Sequence, residues 1–187
     1  MKKYFLFLFI LVSHLVTNAQ TEETPTINWM TFNEALAAQK VTPKKIMMDV
    51  YTNWCGPCKL MDKKTFSNTD VINYINENFY AVKFNAEGPG KIKYDNQTFT
   101  NPRYDPKKKN SKNSTHQLTD YLQVRGFPTL LFFEEDGGLL APIPGYSTVK
   151  KLEMYLKLFF TNKYKEISTA KAFEKYQKEF VYEFTEE

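Results

Sequence analysis

From Lys45 to Tyr51 apolar and β-favouring residues follow one another with one interruption, Asp49, and the run stops at the turn-like pair Thr52-Asn53. A short run of this kind, bounded by turn residues, predicts a buried central strand. Phe79 to Asn85 alternates and predicts a second strand, and Thr129 to Phe133 a third. Asp136-Gly137-Gly138 predicts a hairpin turn into a fourth strand at Leu139-Leu140. Ile27 to Met30 reads as a further edge strand.

Between these runs the spacing is helical. Thr31-Phe32-Asn33-Glu34 has the Thr-x-x-Glu form of a capping box, followed by Ala35, Leu36 and Ala38. Leu60, Met61 and Lys64 continue a helix that starts at Cys55, and Val71, Ile72 and Ile75 mark another after a cap at Asn68 or Thr69. Gln117 to Val124 predicts a short helix. Ser147 is the expected cap of a last core helix in which Val149, Leu152, Tyr155, Leu156 and Phe159 recur. Beyond Lys163, the positions of Ala172, Phe173, Tyr176 and Phe180 predict one more amphipathic helix, packed on its own domain. Residues 86–115 are dominated by Gly, Pro, Asn, Ser and Lys and read as a long loop insertion. The order of elements gives an α/β fold: a mixed central sheet with flanking helices and a terminal β-hairpin.

A length of 187 residues suits one domain with additions. Residues 1–19 stand apart: Lys2 and Lys3, an apolar run from Tyr4 to Val12, and the small-residue site Thr17-Asn18-Ala19 have the form of a signal peptide, with a mature chain starting near Gln20. The apolar run is shorter than the roughly 20 residues of a membrane-spanning helix and is broken by Ser13 and His14. No stable membrane insertion is expected after cleavage; a retained N-terminal anchor is the alternative. The division expected is therefore 1–19 signal peptide, 20–162 main domain and 163–187 helical extension. Without Lys2 and Lys3 the formal charge falls from +4 to +2, with 23 basic against 21 acidic residues. That near-neutrality predicts no polyanionic partner, and the run Lys107-Lys108-Lys109 reads as a solvated loop, not as a nucleic-acid site.

Export would place the chain where disulfides persist, yet it has two cysteines, Cys55 and Cys58. A bridge closing so short a loop removes little entropy from the unfolded chain, so chemistry is the better reason for the pair. A cysteine at a helix start faces unpaired N–H groups and the positive end of the dipole, which favours its thiolate and makes Cys55 the expected nucleophile. Cys58, one turn on, is placed to resolve a mixed disulfide. Gly56 is expected to let the turn form without a clash, and Pro57 to fix φ in the first helical turn. A zinc site needs four ligands, and the mature chain offers no second cysteine pair and only His116, to which no role is given. No metal and no bound cofactor are expected.

The string Trp54-Cys55-Gly56-Pro57-Cys58-Lys59 resembles the active-site string of thioredoxins, and the chain is similar to that family over about residues 30–160. The resemblance implies a thioredoxin-like fold and thiol–disulfide oxidoreductase activity. It also implies that Asp49, six residues before Cys55, is the buried acid that moves the proton of the resolving cysteine. Desolvation should raise its pKa, with Lys83 beside it in the next strand. Phe127-Pro128-Thr129, after Arg125-Gly126, resembles the family's cis-proline loop, which implies that Pro128 contacts the active site and that the backbone before it pairs with substrate. Gly145 matches a glycine on the substrate-facing surface. Trp54, Gly56, Pro57, Phe127, Pro128 and Gly145 are the implied substrate-binding set.

The segment from Lys83 to Phe160 and the phrase Lys63-Lys64-Thr65-Phe66-Ser67 look closest to the thioredoxin-like domain of bacterial envelope disulfide reductases. The implied partners are protein disulfides and, for a reductive role, an external electron donor, with the periplasm as location. Two alternatives stay open on the sequence. The pair could run in the oxidising direction, which the compartment favours while Gly56-Pro57 favours reduction. Alternatively, the chain could be a binding or assembly module using residues 86–115 and 163–187.

Overall fold

Thr31 opens the first helix, α1 (Phe32–Gln39), through the capping box anticipated from sequence: its hydroxyl accepts from Glu34 N–H while the Glu34 carboxylate accepts from Thr31 N–H. A computed structural model describes residues 25–186, so the signal peptide expected over 1–19 lies outside the described residues. Four strands follow in one sheet: β1 (Ile46–Tyr51), β2 (Tyr80–Asn85), β5 (Thr129–Phe133) and β6 (Leu139–Pro144), in the order β2-β1-β5-β6. β1 runs parallel to β2 and antiparallel to β5, which gives the mixed sheet. The prolines of β6, Pro142 and Pro144, lack an N–H and lie on an edge strand, where the ladder tolerates them.

Alternation sorts the strand residues into two cores. Met47, Leu130, Phe132 and Ile143 face α2 (Gly56–Lys64), α3 (Thr69–Asn78) and α5 (Val149–Phe160). Ile46, Met48, Val50, Val82, Phe84, Leu131 and Phe133 face the other way, onto α1 and α4 (Gln117–Tyr121). The last helix, α6 (Ala170–Glu179), and the residues after it lie over the first core through Phe173, Tyr176 and Phe184. The aromatic stripe of the tail therefore packs on its own domain.

Ile27–Met30 is not a strand; a single parallel bridge joins Met30 to Val82, because the next residue, Thr31, already caps α1. Thr148, not Ser147, caps α5: it stands three residues before Lys151, whose N–H its hydroxyl accepts, while the buried Ser147 hydroxyl has no partner among the described residues. Residues 86–115 are more than a loop. They hold an antiparallel hairpin, β3 (Ile92–Tyr94) with β4 (Gln97–Phe99), and one 3₁₀ turn at Pro106–Lys108. Asp95 and Asn96 turn the hairpin at φ 47° and 56°, and Ile92 and Phe99 carry its apolar face into the second core.

Candidate active site

Cys55 is the N-cap of α2, in extended conformation, and is joined to Cys58 by a disulfide. The backbone N–H of Cys58 points at Cys55 Sγ from 3.1 Å, so one orphan donor of the helix start is aimed at the sulfur that would carry negative charge on reduction. Both cysteines are nearly covered, at 4% and 2% exposure. Pro57 occupies the first turn, as anticipated. Gly56 does not do what the sequence suggested: its φ is ordinary and a Cβ there would meet nothing within 4 Å, so neither strain nor a clash requires glycine. What Gly56 leaves is bare, exposed surface beside the disulfide.

Asp49 lies on the same face of β1 as Met47, beneath α2, at 1% exposure. Parallel register sets it opposite Lys83, whose Nζ is 3.2 Å from Asp49 Oδ2. Burial pushes the Asp49 carboxyl up to about 6, against the opposing pull of the Lys83 ammonium. Asp49 Oδ1 has no hydrogen-bond partner among the described residues. The sequence reading missed Asp62, which also pairs with Lys83 and stands one turn beyond Cys58 on α2. An i, i+4 pair shares a helix face, so Asp62 and the buried Cys58 both look toward the Asp49–Lys83 pair. The spacing from Cys58 was the available signal.

The loop before β5 closes the other side. The Phe127-Pro128 bond is cis, the Phe127 ring meets Trp54 edge-on at 6.3 Å, and Gly145 N–H donates to the Pro128 carbonyl at 2.8 Å. Gly145 sits at φ +83°, the left-handed region, where glycine is favoured. Phe127 thus stands against Trp54, the residue before Cys55, and Gly145 is tied to Pro128.

A second residue missed from sequence is Glu87, an isolated acid in a polar stretch with no motif to mark it. It is buried, and its Oε2 accepts from Trp54 Nε1 and from Asn113 N–H, both at 2.8 Å. His116 caps α4: Nδ1 accepts from Leu118 N–H and Nε2 faces the Gly90 carbonyl, which fixes the proton on Nε2. Burial lowers its pKa, and its place is structural.

An exchangeable cysteine pair at a helix start, set over a buried acid, is the equipment of a thiol–disulfide oxidoreductase of thioredoxin-like architecture. The sequence matches the thioredoxin-like domain family over residues 32–160, and the chain belongs to that family. It is 26% identical over 137 residues to the thiol:disulfide interchange protein DsbD of Pectobacterium atrosepticum, covering 72% of this chain and 19% of that protein. To the DsbD of Klebsiella pneumoniae it is 34% identical over 107 residues, covering 56% of this chain and 13% of that one. The chain therefore spans less than a fifth of the length of these curated relatives. A thioredoxin-fold protein from Helicobacter pylori superposes with a TM-score of 0.57 at 17% identity, covering 84% of this chain and 87% of that one, a likeness of fold. No helix among the described residues is long and apolar enough to cross a membrane.

Proposed function

We propose that the protein reduces disulfides of exported proteins in the bacterial cell envelope, most simply the periplasm. The reduced Cys55 thiolate attacks one client sulfur, forms an intermolecular disulfide and releases the first client thiolate. Cys58 then loses its proton and attacks Cys55 Sγ, which re-forms the Cys55–Cys58 bond and releases the second client thiolate; two electrons pass to the client. Asp49, held by Lys83, takes the Cys58 proton. Trp54, Gly56, Pro57, Phe127, Pro128 and Gly145 form the surface on which the client segment lies. An external dithiol donor restores the reduced pair, and no bound cofactor takes part.

The observation that carries this reading is the buried Asp49, whose carboxyl titrates near 6 beneath the cysteine-bearing helix. A base of that strength suits deprotonation of a thiol near neutral pH. The envelope location is supported by the form of residues 1–19, and the division into a 20–162 domain and a 163–187 extension by the family match ending at residue 160.

Cys58→Ser in the full chain should accumulate covalent client adducts through Cys55. Absence of adducts, with parent activity no faster than free dithiol, would remove the proposal. The reductive direction is tested by the potential of the pair: a value near the −270 mV typical of reducing thioredoxins is expected, and one near −120 mV would assign an oxidant.

A further inference from the structure

We infer that residues 102–112 form a basic rim on the active site that selects client disulfides flanked by acidic residues; this rests on the exchange reading above. The segment carries Arg103, Lys107, Lys108, Lys109 and Lys112 against one acid, Asp105. Its net +4 equals the formal charge of the whole 187-residue chain, so the excess positive charge is gathered in eleven residues.

The two residues that precede Cys55 hold this segment in place. Asn53 Nδ2 donates to the Lys109 carbonyl at 2.5 Å, and Trp54 shares the Glu87 carboxylate with the Asn113 N–H. The lysine run is therefore anchored through its backbone to the two residues before Cys55. All five basic side chains are exposed, and none lies within ion-pair distance of a carboxylate among the described residues. Asp105 is occupied as a cap, accepting from Lys107 N–H, and Glu87 is buried. Two more exposed cations extend the rim: Lys59, directly after Cys58, and Arg125, two residues before the Phe127 that meets Trp54.

Unpaired cations around a reacting centre attract an acidic chain and speed its encounter, an effect that salt suppresses. The occupant that fits is an extended acidic polypeptide with its disulfide presented to Cys55.

The test uses the full chain, reduced and freed of reductant, at low ionic strength. Its probes are uncharged hydroxyethyl disulfide and two cyclic peptide disulfides alike except for flanking glutamates or flanking lysines. Each rate is divided by that of dithiothreitol on the same probe. The acidic peptide should be reduced on the order of tenfold faster than the basic one. That ratio should fall toward one in about 0.5 M salt. The triple variant Lys107→Glu, Lys108→Glu, Lys109→Glu, which keeps the Lys109 backbone contact, should reverse the preference, and Arg103→Glu with Lys112→Glu should weaken it. Equal normalised rates for the two peptides, or a preference unchanged in the triple variant, would overturn the inference while hydroxyethyl disulfide is still reduced. If the parent reduces hydroxyethyl disulfide no faster than dithiothreitol does, the exchange reading fails and this inference with it.

Discussion

Asp49 Oδ2 and Lys83 Nζ lie 3.2 Å apart, with the same ammonium paired to Asp62 and set over the rings of Trp29, Tyr51 and Phe66 at 4.8, 5.3 and 5.2 Å. One cation thus links a buried carboxylate to an exposed one. Burial still wins at Asp49, because a single neighbouring charge does not replace the hydration lost by a carboxylate at 1% exposure.

Below pH 3.8 Asp49 is protonated in the folded and unfolded chains alike. Between 3.8 and about 6 the unfolded chain releases the proton and the folded one retains it, so stability falls as pH rises, and above about 6 the loss is complete. Asp49→Asn removes this titration. Its stability relative to the parent, from denaturant unfolding of the oxidised forms, should rise by about 2 kcal/mol between pH 4 and 7. A difference independent of pH would contradict the assignment.

Lys83→Met should raise the Asp49 pKa further, because the ammonium that opposes the effect of burial is removed. With the ammonium gone, the Asp49 carboxyl rises above 6, and the acid limb of the reduction rate against pH should shift upward by about one unit. Lys83→Arg should restore the parent profile. A purely structural lysine would change the amplitude and leave the inflection where it was.

Glu87→Ala would leave the Trp54 indole N–H and the Asn113 N–H without their acceptor, at a local cost of about 1 kcal/mol each, because both residues are partly open to water. Residues 101–114 should then be cut faster by protease than in the parent. Glu87→Gln, which keeps a carbonyl oxygen in place, should be cut more slowly than the alanine variant.

Glu153 on α5 is fully buried and accepts from Lys157 Nζ at 2.7 Å, Glu183 N–H at 2.7 Å and Phe184 N–H at 3.2 Å. Glu153→Ala should lower unfolding stability by about 2–4 kcal/mol, because it strands two backbone donors and leaves the Lys157 ammonium with Glu183 as its one remaining carboxylate among the described residues. Hydrogen exchange should rise at residues 183–185 first, since the segment is then held, among the described residues, by the Thr185 contacts with Asp70 and Asn68 and by the exposed Lys150–Glu186 pair.

The frame and the centre of the site were legible because local patterns determine them. The run 45–51, interrupted only by Asp49, declares a covered strand, and parallel register then sets Asp49 opposite Lys83. The Thr31 capping box and the Pro57 position are equally local. Composition obscured the hairpin: Ile92-Lys93-Tyr94 alternates and Asp95-Asn96 is a turn pair, but Gln97-Thr98-Phe99 has one apolar residue and three-residue strands amid polar sequence give weak periodicity. Glu87 was invisible for another reason. Its partners, Trp54 and Asn113, stand 33 and 26 residues away, and no spacing rule links them.

The placement of Trp29 and Trp54 gives the molecule a built-in optical readout. These are its two tryptophans: Trp54 adjoins the disulfide, and Trp29 lies edge-on to Phe66 under the Lys83 ammonium. Emission from one should follow the making and breaking of the sulfur–sulfur bond. Emission from the other should follow the charge on Asp49 through the Lys83 ammonium that pairs with that carboxylate and lies over the Trp29 ring, so electron and proton can be timed separately in one unlabelled sample.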